Sequence, residues 1–581
     1  MLKRLAYLWP YLRPHRRQLF FGLLTILAGV LISMLNPLLV GRAIDSLRHQ
    51  VSPRVLLGYG ATLIGITVVQ GIFSYLQRMI LVAMSRDVEF ELRNAYFQRL
   101  ELQPPAFFQE HPTGDLMARA TNDLQAVRML CGPAIMYMTN TLITGTLALV
   151  LMAQIHMRLT LLALITMPIV AVVTKIFGER IHGLFERVQE RFSGLTAKVQ
   201  ENLAGVRVVR AYAQEEPERA EFGRLNEEYL TSNRRLIGWS VAFHPLLQAL
   251  IALGFAAVLW YGGSLVIRRQ ISVGQFVTFQ LFLGRLVWPM IALGWVINLA
   301  QRGVASLGRI RSILDVEPAI RDEEPLIDPG EIRGQVSFRH LSFAYRPDSP
   351  PVLSDIDFEV PAGATVALVG RTGSGKSTLL SLLPRLADPP HGMLLVDGLD
   401  VRHLPLARLR ESIGMVPQET FLFSATIREN IALGRPEATL EEVEEAARLA
   451  GLETDLGQFP QGLDTIVGER GITLSGGQKQ RVTLARALLR QPRILLLDDC
   501  LSAVDTHTEE QILHNLRTVF QGRTVFLVSH RISTVKEADL ILVLDHGRIL
   551  ERGTHGQLIA YGGLYADLHQ RQLLEEELAA V

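Results

Sequence analysis

The chain has 581 residues, 49% hydrophobic and 20% charged, and a formal net charge of +1. So many apolar residues exclude a disordered chain, and near neutrality removes any global electrostatic reason for a nucleic-acid partner. A mean hydropathy of +0.23 with ordinary charge content does not suit one soluble globule and implies a membrane part joined to a soluble part.

Taken in chain order, Lys3, Arg4, Arg13, Arg16 and Arg17 precede the first long apolar run, which favours a cytoplasmic N-terminus and a signal anchor that is not cleaved. Six stretches carry almost no charge over lengths that suit a bilayer: Gln18–Gly41, Val55–Gln77, Met129–Met157, Leu159–Thr174, Leu236–Ile267 and Gln270–Leu299. The last contains one charge, Arg285, beside Gly284 and ahead of Trp288-Pro289. An intramembrane charge faces a water-filled cavity or a polar partner, so it reads either as a contact for an anionic substrate group or as an ion pair with another subunit. Asn36-Pro37 marks a kink in the first span. Six crossings put both termini in the cytoplasm, with Ser85–Arg128 and Lys175–Arg235 as long cytoplasmic extensions and Arg268–Ser272 as a short external loop. Residues 1–314 thus form a membrane domain. Pro, Gly and acidic residues then make 315–334 a linker. Residues 335–560 alternate apolar strand runs (VSFRHLSFAY, ATVALVG, RILLLDD, TVFLVSH, DLILVLDHGRI) with helical segments, which implies an α/β domain with a largely parallel sheet. Residues 561–581 form a helical tail, amphipathic over Tyr565–Leu578. The two cysteines, Cys131 and Cys500, allow neither a disulfide framework nor a cysteine zinc cluster. Cys500 reads as a packing residue more than a redox switch.

The chemistry concentrates in the second half. Gly370-Arg371-Thr372-Gly373-Ser374-Gly375-Lys376-Ser377-Thr378 follows the strand ATVALV and precedes the helical LLSLLPRL, the context a P-loop requires. Its glycines let backbone N–H groups curl around phosphates, a helix N-terminus adds positive potential, Lys376 reaches the β- and γ-phosphates, and Ser377 can ligate Mg2+. Ile494–Asp499 is an apolar strand ending in two carboxylates. Asp498 fits the Mg2+ anchor, and Asp499 faces the attacking water.

Between these elements lies Leu474-Ser475-Gly476-Gly477-Gln478, which resembles the signature of ATP-binding cassette (ABC) transporters. The surrounding order is similar to that family too: Tyr345 at the adenine-stacking position, Gln418 as the Q-loop glutamine, Ser502-Ala503-Val504-Asp505 as the D-loop and His530 as the switch histidine. Val467–Gly471 (VGERG) resembles a segment of the exporter branch. The resemblance covers nearly the whole chain. It implies a six-span helical membrane domain followed by an α/β P-loop cassette with a mostly parallel sheet and a helical subdomain, in the cytoplasmic (inner) membrane. It further implies ATP and Mg2+ as cofactors, with Ser377, Gln418 and Asp498 at the metal and Asp499, Gln418 and His530 in hydrolysis. Gly370–Thr378, Tyr345, Ser475–Gln478 and Asp505 would bind nucleotide. In the family each ATP lies between the P-loop of one cassette and the signature of another, so one cassette per chain implies a half-transporter that works as a dimer. The implied coupling helices lie near Thr113–Arg119 and Gly205–Ala213. One departure stands out: where the family normally has a catalytic Glu, this chain has Asp499. The expected consequence is slow hydrolysis at its own P-loop and a heterodimer with a paralogous chain that carries Glu. A homodimeric lipid flippase or peptide exporter, and an ATP-gated regulator, are the alternatives. Hydrophobic drugs, lipids and peptides are all compatible cargoes.

Overall fold

The computed structural model describes residues 6–47, 52–346 and 348–580, so Lys3 and Arg4 of the basic cluster lie outside it. The chain forms two compact units, Met1–Gln98 with Gly114–Val316, and Arg99–Thr113 with Glu317–Val581.

Among its described residues the regular structure of the first unit is all helical, as long apolar stretches in lipid must be to satisfy their own backbone groups. Helix α1 (Arg16–Ser46) continues through Pro37, and α2 is Pro53–Glu101. Helix α3 (Ile135–Ile155) extends a helical stretch that starts at Thr113 and holds two five-residue π-helical turns, Arg119–Asp123 and Leu130–Ala134. The second turn contains Pro133, and a π turn absorbs the hydrogen bond that proline cannot donate. Next come α4 (Met157–Ala204), the short α5 (Val206–Ala211), α6 (Glu215–Ile267) and α7 (Val273–Leu314). Helix α7 starts at a capping box formed by Ser272 and Gln275. The Asp45 carboxylate reinforces that start by accepting from the Ser272 hydroxyl at 2.5 Å and the Gly274 N–H at 2.8 Å. Among the described residues, five helical stretches are long and apolar enough to cross a membrane: α1, α2, Thr113–Ile155, α6 and α7. The sixth expected span, Leu159–Thr174, lies on α4, where five side chains fall outside the described set. Ile26, Met84, Met152, Val258, Phe279 and Phe282 are fully buried at the centre of this unit.

The second unit carries two sheets. Strands β1 (Val336–Phe343), β2 (Leu353–Val360), β4 (Leu394–Val396) and β5 (Leu399–Asp400) form an antiparallel sheet in the order β2-β1-β4-β5. The VSFRHLSFAY run therefore belongs to an antiparallel sheet. The second sheet has the order β10-β9-β3-β8-β7-β6, with β3 at Thr365–Gly370, β6 at Ile413–Val416, β7 at Ile494–Asp498 and β8 at Thr524–Val528. All its pairs are parallel except the terminal hairpin of β9 (Leu540–Asp545) and β10 (Arg548–Gly553). DLILVLDHGRI is thus two strands, folded at His546 (φ 46°) and Gly547 (φ 74°). A two-residue turn with both φ positive matches strand twist.

The central strands are buried on both faces, and their side chains alternate between two cores. Val366, Leu368, Leu496, Phe526 and Leu542 face the core shared with the antiparallel sheet. Ala367, Val369, Leu495, Leu497, Leu527 and Val543 face the core shared with a helical subdomain. That subdomain includes α9 (Leu440–Leu449) and α10 (Gly476–Leu489). Helix α8 (Lys376–Leu382) follows β3, α11 (Thr506–Phe520) follows β7, and α12 (Leu564–Ala580) forms the tail. With each buried aliphatic side chain contributing about 1.5–3 kcal/mol, this sheet is a rigid platform for the loops at its C-terminal edge.

Candidate functional site

Strand β3 hands the chain to α8 through the loop between Gly370 and Lys376. Gly370 has φ 152°, and a Cβ there would lie 2.1 Å from the Leu544 carbonyl oxygen, so no larger residue fits. Gly375 caps α8 at φ 99° and leaves the helix N-terminus open to an anion. Lys376 is buried, and its Nζ donates to the carbonyl oxygens of Gly370 and Arg371, both at 2.9 Å. The loop is therefore wrapped around its own ammonium group. Burial pushes that ammonium below the ordinary lysine range, while Asp498 and Asp499 pull it back up.

Those two carboxylates end β7 and form the facing wall. Asp498 is buried, and the Ser377 hydroxyl donates to it. Burial pushes its carboxyl above the ordinary range; the Ser377 bond opposes this and Asp499 adds to it. Asp499 adopts the left-handed conformation (φ 48°), with its N–H donating to the Val528 carbonyl at 3.0 Å. One cleft of about 220 Å³ is lined by Thr372–Thr378, Gln418, Asp498, Asp499 and His530, together with Val352 and Val528. Tyr345 is half-exposed at the rim, and its hydroxyl donates to Thr378 Oγ1 at 3.1 Å. Ring and hydroxyl thus lie next to the phosphate loop. A hydroxyl, a carboxylate and an amide oxygen in one cleft are the hard oxygen donors that Mg2+ takes alongside phosphates. The Cys500 thiol, fully buried behind the wall, is pushed up to about 12, which keeps it unreactive.

Ser475–Gln478 and Asp505 do not line this cleft. Ser475 caps α10, with its Oγ accepting from the Gln478 N–H at 3.2 Å and the Gln478 side chain returning to the Ser475 N–H at 2.9 Å. The capping box satisfies the Ser475 and Gln478 N–H groups, while those of Gly476 and Gly477 have no intrahelical acceptor at this positive helix end. Asp505 caps α11 by accepting from the Thr508 N–H at 2.9 Å, which holds its carboxyl below the ordinary range. The P-loop face and the signature face of one chain thus do not meet in one cleft.

Three residues that sequence reading missed tie these elements together. Gln480, buried on α10, donates to Ser502 Oγ at 3.0 Å and accepts from the Ala503 N–H at 3.0 Å. Glu509, 3% exposed on α11, pairs with Arg531 and accepts from Thr534 Oγ1 at 2.6 Å. Gln572 of α12 accepts from the Ile532 N–H at 2.7 Å. All three are ordinary polar residues at helical positions. The one signal that marked Gln480 was its place two residues after the signature.

Comparisons with known proteins agree with this geometry. The family model of the ABC transporter transmembrane region matches residues 19–290, and the ABC transporter family model matches residues 353–502. The chain is 39% identical over 576 residues to a probable multidrug resistance ABC transporter ATP-binding/permease protein, YheI, of Bacillus subtilis, covering 99% of this chain and 98% of the relative. It is also 39% identical over 576 residues to the multidrug resistance-like ATP-binding protein MdlA of Escherichia coli, covering 98% and 96%. Among solved structures it is similar to a bacterial Atm1-family ABC exporter with ATP bound, at TM-score 0.77 and 29% identity over 96% of this chain and 98% of that one.

Proposed function

Since this chain belongs to the ABC transporters, as an exporter-type half-transporter whose membrane domain is fused to one ATP-hydrolysing cassette, we propose that it pumps hydrophobic or amphipathic compounds outward across the cytoplasmic membrane as one half of a heterodimer. The observation that carries this reading is that Ser475–Gln478 lie outside the cleft lined by Lys376, Asp498 and His530, so one chain holds only half of a reaction centre. The missing half would be the signature of a second chain, whose helix N-terminus suits a terminal phosphate.

In that centre Tyr345 stacks on adenine, the N–H groups of Thr372–Thr378 cradle the phosphates, and Lys376 exchanges its carbonyl partners for phosphate oxygens. Ser377, Gln418 and Asp498 would hold Mg2+, which when bound adds positive charge against the phosphate oxygens. Asp499 orients the attacking water, and His530 steadies the terminal phosphate. The short carboxylate of Asp499 makes this chain's own site a slow one, whereas its intact signature completes the faster site of a partner that carries Glu. The basic residues ahead of α1 orient both termini toward the cytoplasm.

The test is ATP-driven uptake of a fluorescent hydrophobic dye into inverted membrane vesicles that contain the assembled transporter. The expected result is uptake that requires ATP and stops with vanadate. ATP hydrolysis without ATP-dependent movement across a panel of dyes, lipids and peptides would replace the pump with an ATP-gated regulator.

A further inference from the structure

Arg285 is the one charge in the six apolar stretches. It lies twelve residues into α7, about 18 Å along the helix axis and past the middle of a hydrocarbon core about 30 Å thick. There its Nη1 donates to Ser33 Oγ of α1 at 3.0 Å. Ser33 is buried and neutral, and its hydroxyl donates in turn to the Val30 carbonyl at 2.8 Å. Among the described residues no carboxylate lies within ion-pair distance of Arg285. Asp45, the nearest acid along α1, is about three turns from Ser33 and is engaged at the start of α7. None of the six stretches contains Asp or Glu, so this chain's own apolar spans hold no acid to pair with it.

The neighbours of Arg285 add an apolar half to the site. Leu281, Arg285 and Trp288 follow one another at four- and three-residue steps, so they share one face of α7. Leu281 is 40% exposed and Trp288 66% exposed, and the Gly284 position opens onto free space. A guanidinium left without a carboxylate at membrane depth is costly unless an anion reaches it from a polar cavity. A bare indole one turn away offers that anion's carrier an aromatic surface.

We infer that Arg285, with Leu281 and Trp288, is a cargo site for an amphiphile with an anionic headgroup, and that this head takes the role of the absent carboxylate. The inference rests on the export reading and names its cargo class. Sulfonate, carboxylate and phosphate heads share the recognising chemistry, whether carried on a free amphiphile or on a membrane lipid.

The experiment measures binding to the assembled transporter in nanodiscs with two matched pairs: a fluorescent alkylsulfonate against its uncharged sulfonamide, and labelled phosphatidylglycerol against labelled diacylglycerol. The expected result is a preference of about tenfold for the charged member of at least one pair, which falls to near unity in Arg285→Gln. The pair that responds identifies the source of the anion. Arg285→His serves as its own folding control, because the preference should return below about pH 6.5 and vanish above it. No preference in the unaltered transporter, a preference that survives in Arg285→Gln, or one in Arg285→His that ignores pH would each overturn the inference. ATP-driven transport of the uncharged probes, if retained, shows that the export reading stands even where this site fails.

Discussion

At Asp499 two requirements of a single residue conflict. Its left-handed backbone (φ 48°) is one that Asp tolerates better than most residues, because its short polar side chain can bond locally. Glu in the same place would reach further toward the water but costs about 1 kcal/mol more in backbone strain. A carboxylate that falls about 1 Å short of a reacting water costs roughly 10²-fold in rate. Asp499→Glu is therefore expected to raise the single-turnover hydrolysis rate at this chain's P-loop by about 10²-fold, with ATP affinity changed by less than about threefold. Radiolabelled ATP in single-turnover mode separates the two quantities. Fast turnover by the unaltered chain on its own would show that Asp499 already reaches the water.

Between elements, the loop that carries His530 is held from both sides. Glu509 lies one turn into α11, bonded to Arg531 and Thr534, while Gln572 of α12 takes the Ile532 N–H. Glu509 touches none of the cleft, so it acts as a positioning residue for His530. Glu509→Gln keeps the shape and removes the charge that orders Arg531. It is expected to lower the single-turnover hydrolysis rate at this chain's own P-loop by about tenfold while ATP affinity there stays within about threefold, whereas a merely destabilising change would lower the active fraction and leave the rate of surviving molecules intact. Titrating active sites alongside turnover distinguishes these outcomes. The same elements show what the sequence could and could not reveal. Gly370–Thr378, Asp498, Asp499, Gln418 and His530 were legible because their residue types at that spacing serve little besides phosphate chemistry, and the structure gathers Thr372–Thr378 with the other four in one cleft, Gly370 and Arg371 lying outside its lining. Glu509 and Gln572 were not, since a glutamate or glutamine on a helix has the same local pattern whether it bonds water or a distant loop. The β9–β10 turn hid inside an apolar run because Asp-His-Gly-Arg is short and its neighbours are β-formers on both sides. The assignment of β1 to a separate antiparallel sheet is set by partners far along the chain, which local alternation does not encode.

For the whole molecule, the proposed heterodimer would turn the substitution at Asp499 into an asymmetry between chains. The cleft of this chain holds Asp499 and His530, whereas its signature at Ser475–Gln478 lies outside that cleft and, in the proposed dimer, would complete a site on the partner's P-loop. If the partner's site performs most turnovers, damage to a group within this chain's cleft removes little flux, while the same damage in the partner removes nearly all of it. His530→Ala in this chain should thus lower ATPase of the assembled transporter by less than about threefold, and alanine at the partner's switch histidine by about 10²-fold. If the two cassettes drive one motion of the membrane halves, as the proposed dimer requires, dye transport should follow the same ranking as hydrolysis. Equal losses from the two substitutions would mean equal sites, and the short carboxylate at Asp499 would then have to reach its water through a shift of the β7–α11 connection as the cassettes close.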